Sequence, residues 1–173
     1  MQEIVNVLNI LSPIAVLGAL IFAGLQVRSA NRARAEQAAV AVVQAVQTPA
    51  WMHSLRTWQH VPIGSTPQDI DALGIEVVAE IETYGVQVET VAYMVFRGVV
   101  GIEVVQEMIG GAVVTYWKRF SEWIELDRKR TSNPRNYEWV QWLVERLQER
   151  YPGYDVDPAY VRYARWNNSR HLQ

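Results

Sequence analysis

The stretch "IEVVAEIETYGVQVETVAYMVFRGVVGIEVVQEMIGGAVVTYWKRFSEW", Ile75–Trp123, carries two apolar rhythms on either side of a short glycine-bracketed turn. Val78, Ile81, Gly85, Val88, Ala92 and Val95 recur at steps of three and four, which gathers them on one face of a helix. Thr66-Pro67, a capping residue followed by proline, is expected to open that helix, which runs to about Arg97. Beyond Gly98 and Gly101 the same rhythm resumes in Ile102, Val105, Ile109, Ala112, Tyr116, Phe120 and Trp123. Two long amphipathic helices joined this tightly are expected to pack antiparallel. Gly110-Gly111 interrupts the second, which suits a close helix approach, a hinge or a ligand contact.

Working outward, Thr48-Pro49 repeats the cap-plus-proline signature and opens a short helix to about His60, with Trp51, Leu55 and Trp58 on its inner face. A third such start, Asn133-Pro134, opens a helix that buries Tyr137, Val140, Val144, Leu147 and Tyr151. At 100° per residue Trp142 points away from that stripe, among Glu138, Glu145 and Glu149, with Trp139 on its flank. A Trp on a polar face needs a cover. One candidate is the basic aromatic tail, with Tyr160, Tyr163 and Trp166 beside Arg162, Arg165 and Arg170. The other is a protein partner, which makes Trp139 and Trp142 the expected partner-binding residues. No strand pattern or internal repeat is present. The fold class is therefore all-α, with an antiparallel bundle of four or five helices over residues 48–151 and the tail over 152–173.

Ahead of the bundle lies "PIAVLGALIFAGLQVRSANRARAEQ", Pro13–Gln37. Ile4 to Val27, at about 1.5 Å per residue, makes roughly 36 Å of helix, enough to cross a hydrocarbon core of about 30 Å. The first turns are polar, with Asn6, Asn9 and Ser12, so a buried core helix is the competing reading. A cleavable signal peptide has the opposite charge order: here Glu3 precedes the apolar run and the arginines follow it. Residues 1–28 are accordingly expected to be a single transmembrane anchor. Positive charge after the span places the N-terminus outside and the bundle in the cytoplasm.

Ser12, Ala15, Ala19 and Ala23 form a stripe of small residues suited to packing against another transmembrane helix. Arg28, Arg32 and Arg34 fall where a helix leaves the headgroups and are expected to contact lipid. Residues 29–47 contain no helix breaker and read as a juxtamembrane helix or stalk.

Composition narrows the function by exclusion. A net charge of −2 over 173 residues argues against nucleic acid as a partner. The chain has no cysteine, so disulfides and thiolate metal sites are ruled out. The three histidines, His53, His60 and His171, form no Glu-x-x-His or His-Glu-x-x-His pattern, and neither a metal nor a cofactor is expected. Glu76 with Glu80 and Glu103 with Glu107 share helix faces, the usual pattern of a solvated side. Asp69-x-Asp71 and Asp155-x-Asp157 lack the glycine and distal glutamate of a calcium loop. No nucleophile elbow or phosphate loop is present, and no small-molecule substrate is identified.

Glu80 with Gly85, "RGVVGIEVV" at the turn, "TYWKRF" with Arg128, and "YEWVQWL" resemble a bacterial family known only as a domain of unknown function. The resemblance runs from Ile4 to about Tyr151, with Gly101 where a polar cap is expected. It implies a single span, an Arg-rich exit and an all-helical cytoplasmic domain in the bacterial inner membrane, and it lends no residue a catalytic role. The expected function is a non-catalytic accessory, scaffolding or assembly subunit of a larger membrane complex, with the lipid bilayer and other membrane subunits as partners. The alternative is a membrane-anchored ligand-sensing regulator whose bundle binds a small molecule. An enzyme using Glu76 and Glu80 ranks third.

Overall fold

The computed structural model describes residues 16, 19–30, 33–34, 37, 40, 42–44, 46–152, 159–162 and 164–165. All regular structure among them is helical: α1 (residues 19–30), α2 (Pro49–Gln59), α3 (Pro67–Asp71), α4 (Ile75–Phe96), α5 (Ile102–Met108), α6 (Gly110–Arg130), α7 (Glu138–Arg150) and α8 (Ala159–Arg162). The all-α expectation holds. The Thr48 hydroxyl caps α2, accepting from the Trp51 N–H at 3.1 Å, and Pro49 takes the first helical position. Thr66 and Asp69 form a reciprocal capping box on α3.

The helix expected to run unbroken from Pro67 to Arg97 is in fact two. It stops at Asp71 and restarts at Ile75, because Gly74 takes φ +90°, a backbone state that only glycine adopts without strain. Asp71, the last helical residue of α3, accepts from Trp123 Nε1 at 2.8 Å and from Arg130 at 2.5 Å. The second long helix also divides, at Ile109 (φ −134°), directly ahead of Gly110.

α4 is the central helix, flanked most closely by α2 and α7. The ring of Trp51 stands 4.7 Å from that of Tyr84, and Ser54 meets Glu80, so α2 runs antiparallel to α4. α6 is antiparallel too: Tyr116, near its start, donates to the Ile81 carbonyl, while Arg130 at its end reaches Asp71. α7 keeps the expected antiparallel scheme: it turns back along α6, with Arg128 meeting Asn136 and Gln141, and so lies beside α4 in the same direction. Glu89 meets Val140 and Phe96 meets Trp142, so α7 runs parallel to α4. Gly85 permits this close approach, since a Cβ there would lie 2.3 Å from Tyr137 Cε1.

Between α2, α4 and α6 the core is largely aromatic: Trp51, Trp58, Tyr84, Tyr116 and Phe120 stack at tilted or edge-on angles with centroids 4.7 to 6.2 Å apart. These wide rings keep α4 and α6 apart while filling the gap, and burial raises the pKa of both tyrosines. Val42 and Val46, ahead of α2, are buried in the same core. Arg119 donates to the carbonyls of Trp58 and Gln59, closing the C-terminal end of α2.

α7 also starts later than expected. Asn133-Pro134 begins a turn rather than a helix, and Glu138 is the first helical residue after Tyr137 in left-handed conformation (φ 55°). Tyr137 supplies no side-chain cap; Glu89 does so from α4, accepting from the Val140 N–H at 2.8 Å. Burial raises the Glu89 pKa, and the backbone N–H groups of Val140 and Trp139 partly oppose that.

Among the described residues no helix is long and apolar enough to cross a membrane. Most of the expected span, Ile4–Val27, lies outside them; Val16 and residues 19–27 are inside, and every one is exposed.

Candidate partner-binding surface

The C-terminal end of α4, the first turn of α5 and the outer side of α7 enclose an open groove of about 560 Å³. Its floor is apolar, with Val95, Val100, Ile102 and Trp142, and its rim is charged, with Glu103, Arg146, Glu149 and Arg150. Arg150 is paired with Glu103 across the groove, and Arg146 with Glu149 at 2.7 Å. The rim charges are thus matched in place, which leaves the apolar floor as the surface that gains most from being covered.

Beside the groove four rings form one cluster. Trp139 lies 4.6 Å from Phe96, 5.4 Å from Tyr93 and 6.0 Å from Trp142, and Trp142 meets Phe96 edge-on at 5.7 Å. The sequence places Trp142 among glutamates with Trp139 on its flank; the structure adds Tyr93 and Phe96 to that pair and leaves both tryptophans half-buried. Phe96 lies edge-on against Trp142. In the tail, Tyr160 is 79 % exposed, and Tyr163 and Trp166 fall outside the described residues. A half-covered Trp pair with an apolar floor and a polar rim has the composition of a binding hot spot.

Tyr93, Phe96 and Val99 were missed because they fall off the buried stripe of α4. The available signal was the run from Val91 to Val100, which holds one charged residue and is wider than a single buried face requires.

The other sequence-derived site residues are more scattered. Ala19 and Ala23 lie on α1, helical and exposed; Ser12 and Ala15 fall outside the described residues. Arg28 and Arg34 are helical and exposed, and Arg32 falls outside. Gly110 and Gly111 do not line the groove.

Glu80 is not simply solvated. It accepts from the fully buried Ser54 hydroxyl at 2.6 Å and lies 3.7 Å from His53 Nε2. Glu76 shares the adjoining hollow of about 490 Å³. Among the described residues no group of three or more His, Asp or Glu side chains could hold a metal.

Two of the residues that carried the family resemblance, Gly85 and Arg128, meet the start of α7 from α4 and α6. Gly85 faces Tyr137 and Tyr116, and Arg128 donates to the Asn136 carbonyl and Gln141 Oε1, each at 2.8 Å, with its guanidinium 5.9 Å from the Trp117 ring. Residues 13–147 match a family model described as a domain of unknown function, DUF4760. The chain belongs to the DUF4760 family. No curated protein and no solved structure matches it. The DUF4760 match begins inside the apolar run and ends within α7, so it takes in α1, the bundle and both Trp139 and Trp142, and excludes α8.

Proposed function

We propose that this DUF4760 protein is a non-catalytic accessory, scaffolding or assembly subunit of a larger membrane complex. One span over residues 1–28 holds it in the bacterial inner membrane, with the N-terminus outside and the bundle in the cytoplasm. The observation that carries this reading is the aromatic surface around Trp142, built by two helices and left half-covered. α1 supports the anchor: Leu20, Ile21, Phe22, Leu25 and Val27 are each at least 59 % exposed. Successive residues point 100° apart, so α1 shows apolar side chains all round, as a helix in lipid does. The exposed Arg28 and Arg34 follow at once, in the position of headgroup contacts. The small-residue stripe through Ala15, Ala19 and Ala23 is the surface proposed to meet a neighbouring span.

The test is purification of the tagged full-length protein from its native membrane in mild detergent, with mass spectrometry of what accompanies it. A stoichiometric membrane partner that is lost in Trp142→Ala supports the reading; a protein that elutes alone sinks it. The groove favours one second reading, a ligand-sensing regulator, because 560 Å³ lies within the usual range of small-molecule pockets. A metabolite that raises the melting temperature of the parent but not of Trp142→Ala would select it.

A further inference from the structure

α2, α6 and α7 cover α4 through Glu80, Ile81 and Gly85, and the remaining side of the helix is open. There Glu82, Val86, Thr90, Tyr93 and Arg97 follow one another at steps of four, four, three and four, all of them exposed. At 100° per residue they fall within an arc of about 80°. Val86 is 59 % exposed and Tyr93 44 %. The outer face of a helix ordinarily turns charge to solvent; this stripe carries one charge at each end and none between.

Those two charges are unmatched within the chain. Among the described residues neither Glu82 nor Arg97 has an ion-pair partner. Partial burial and the Asp127 carboxylate raise the Glu82 pKa, as befits a carboxylate short of a cation. Arg97 donates to the Tyr93 hydroxyl at 3.2 Å, and its guanidinium lies 5.9 Å from that ring, which leaves its charge without a counterion.

The spacing of the stripe says what meets it. Glu82 and Arg97 are fifteen residues apart and Val86 and Tyr93 seven, and both pairs share one midpoint, between positions 89 and 90. An identical helix laid antiparallel across that midpoint sets Glu82 against Arg97 of the second copy, Arg97 against its Glu82, and Val86 against Tyr93 twice. A surface that complements itself under a twofold rotation is what an isologous dimer requires. Any other protein would have to supply the same order of charges and apolar side chains in reverse; a second copy already has it. Glu82 to Arg97 rises about 22 Å, short enough for two helices crossing at about 20° to stay in contact throughout.

We infer that two copies of this chain pair through α4, antiparallel about a twofold axis beside Thr90, with Glu82 of each copy on Arg97 of the other and Val86 against Tyr93. None of these five residues lines the groove beside Trp142, so this contact stands or falls separately from the partner proposed above. A strip of one helix is a small interface, and the dimer is accordingly sought at micromolar concentration.

The chain has no cysteine, so single cysteines report the geometry. In the full-length protein in mild detergent, Thr90→Cys is expected to give a disulfide-linked dimer on mild oxidation, because residue 90 of each copy lies beside the axis. Val86→Cys alone should cross-link poorly, whereas Val86→Cys mixed with Tyr93→Cys should cross-link well, since only those pairings bring Cα atoms within disulfide reach. Light scattering with the detergent mass subtracted follows the same dimer without a cross-link. Glu82→Arg or Arg97→Glu reverses two symmetry-related contacts at once and is expected to weaken the dimer about fivefold or more. The double variant E82R/R97E rebuilds both pairs and should recover it. A monomer throughout the micromolar range, with no cross-link at 90, overturns the inference. A dimer that ignores both single reversals and does not cross-link at 90 is held by another surface, such as the proposed span, and overturns it as well. The cross-links keep the test decisive if a reversal unfolds the chain.

Discussion

Gly85→Ala is expected to destabilise the protein although alanine is the better helix former. The added Cβ would lie 2.3 Å from Tyr137 Cε1, 2.8 Å from Tyr137 Cδ1 and 2.7 Å from the Tyr116 hydroxyl. Ordinary contact begins near 3.4 Å, so the Tyr137 ring, or α7 with it, must retreat by about 1 Å. Overpacking of this kind costs about 1–3 kcal/mol, against a gain of about 1 kcal/mol from replacing a mid-helix glycine. The net loss is about 0–2 kcal/mol, which for a chain of this size lowers the melting temperature by up to about 4–8 °C. The assay is thermal unfolding of the full-length chain in mild detergent, followed by circular dichroism. Tyr137→Ala supplies the control: with that ring gone only the Tyr116 hydroxyl, 2.7 Å from the added Cβ, still opposes it, so Gly85→Ala should cost less than in the parent, a coupling of about 0.5–3 kcal/mol. If Gly85→Ala raises the melting temperature of the parent, or if the two changes are additive, the close approach of α7 to α4 is not what Gly85 is for.

Three further outcomes follow from contacts already described. Ser54→Ala removes a buried hydroxyl that donates to the Glu80 carboxylate, and unfolding should show a loss of about 1–3 kcal/mol. Arg128→Lys keeps the charge but gives up the fixed geometry that reaches both Asn136 and Gln141; a loss of about 1–3 kcal/mol is expected, and parent-like stability would reduce Arg128 to a surface cation. Glu89 has its folded pKa raised above the ordinary 4.5, mainly by burial. Its contribution is therefore fully present below that value and is lost as pH rises through the raised one. Melting curves from pH 4 to 7 should show that decline in the parent and a flatter profile in Glu89→Gln, and identical profiles would remove Glu89 as its source.

Much of the fold can be read from short-range signals. Thr48-Pro49 and Thr66-Pro67 start helices where their capping chemistry says they should, and the buried stripe from Ile81 to Ala92 lies where its spacing puts it. The errors occur where a distant residue overrides local preference. Asp71, where α3 ends, is held by Trp123 fifty-two residues later, and Gly74 makes the break possible. Asn133-Pro134 carries a sound start signal, yet Asn133 bonds Asn136 at 2.5 Å and Asn136 bonds Asp127, which holds the segment in a turn. Leu143 was missed as a core residue because α7 packs against both α4 and α6, which buries a wider face than one stripe. The candidate site divides in the same way. Periodicity identified Trp142 as out of place, but its partner Phe96 comes from the solvent-facing side of another helix, and no spacing within α7 points there.

The remote cap on α7 bears on the order in which the chain matures. A helix whose first turn depends on a carboxylate fifty-one positions earlier has weak grounds to form alone, since short helices nucleate poorly in water. α7 thus condenses on a finished α4 as on a template. During synthesis, Gly85, Glu89 and Phe96 wait for that partner until some fifty more residues have been added. That interval is when a chaperone or a neighbouring subunit has its best access to the uncovered face of α4.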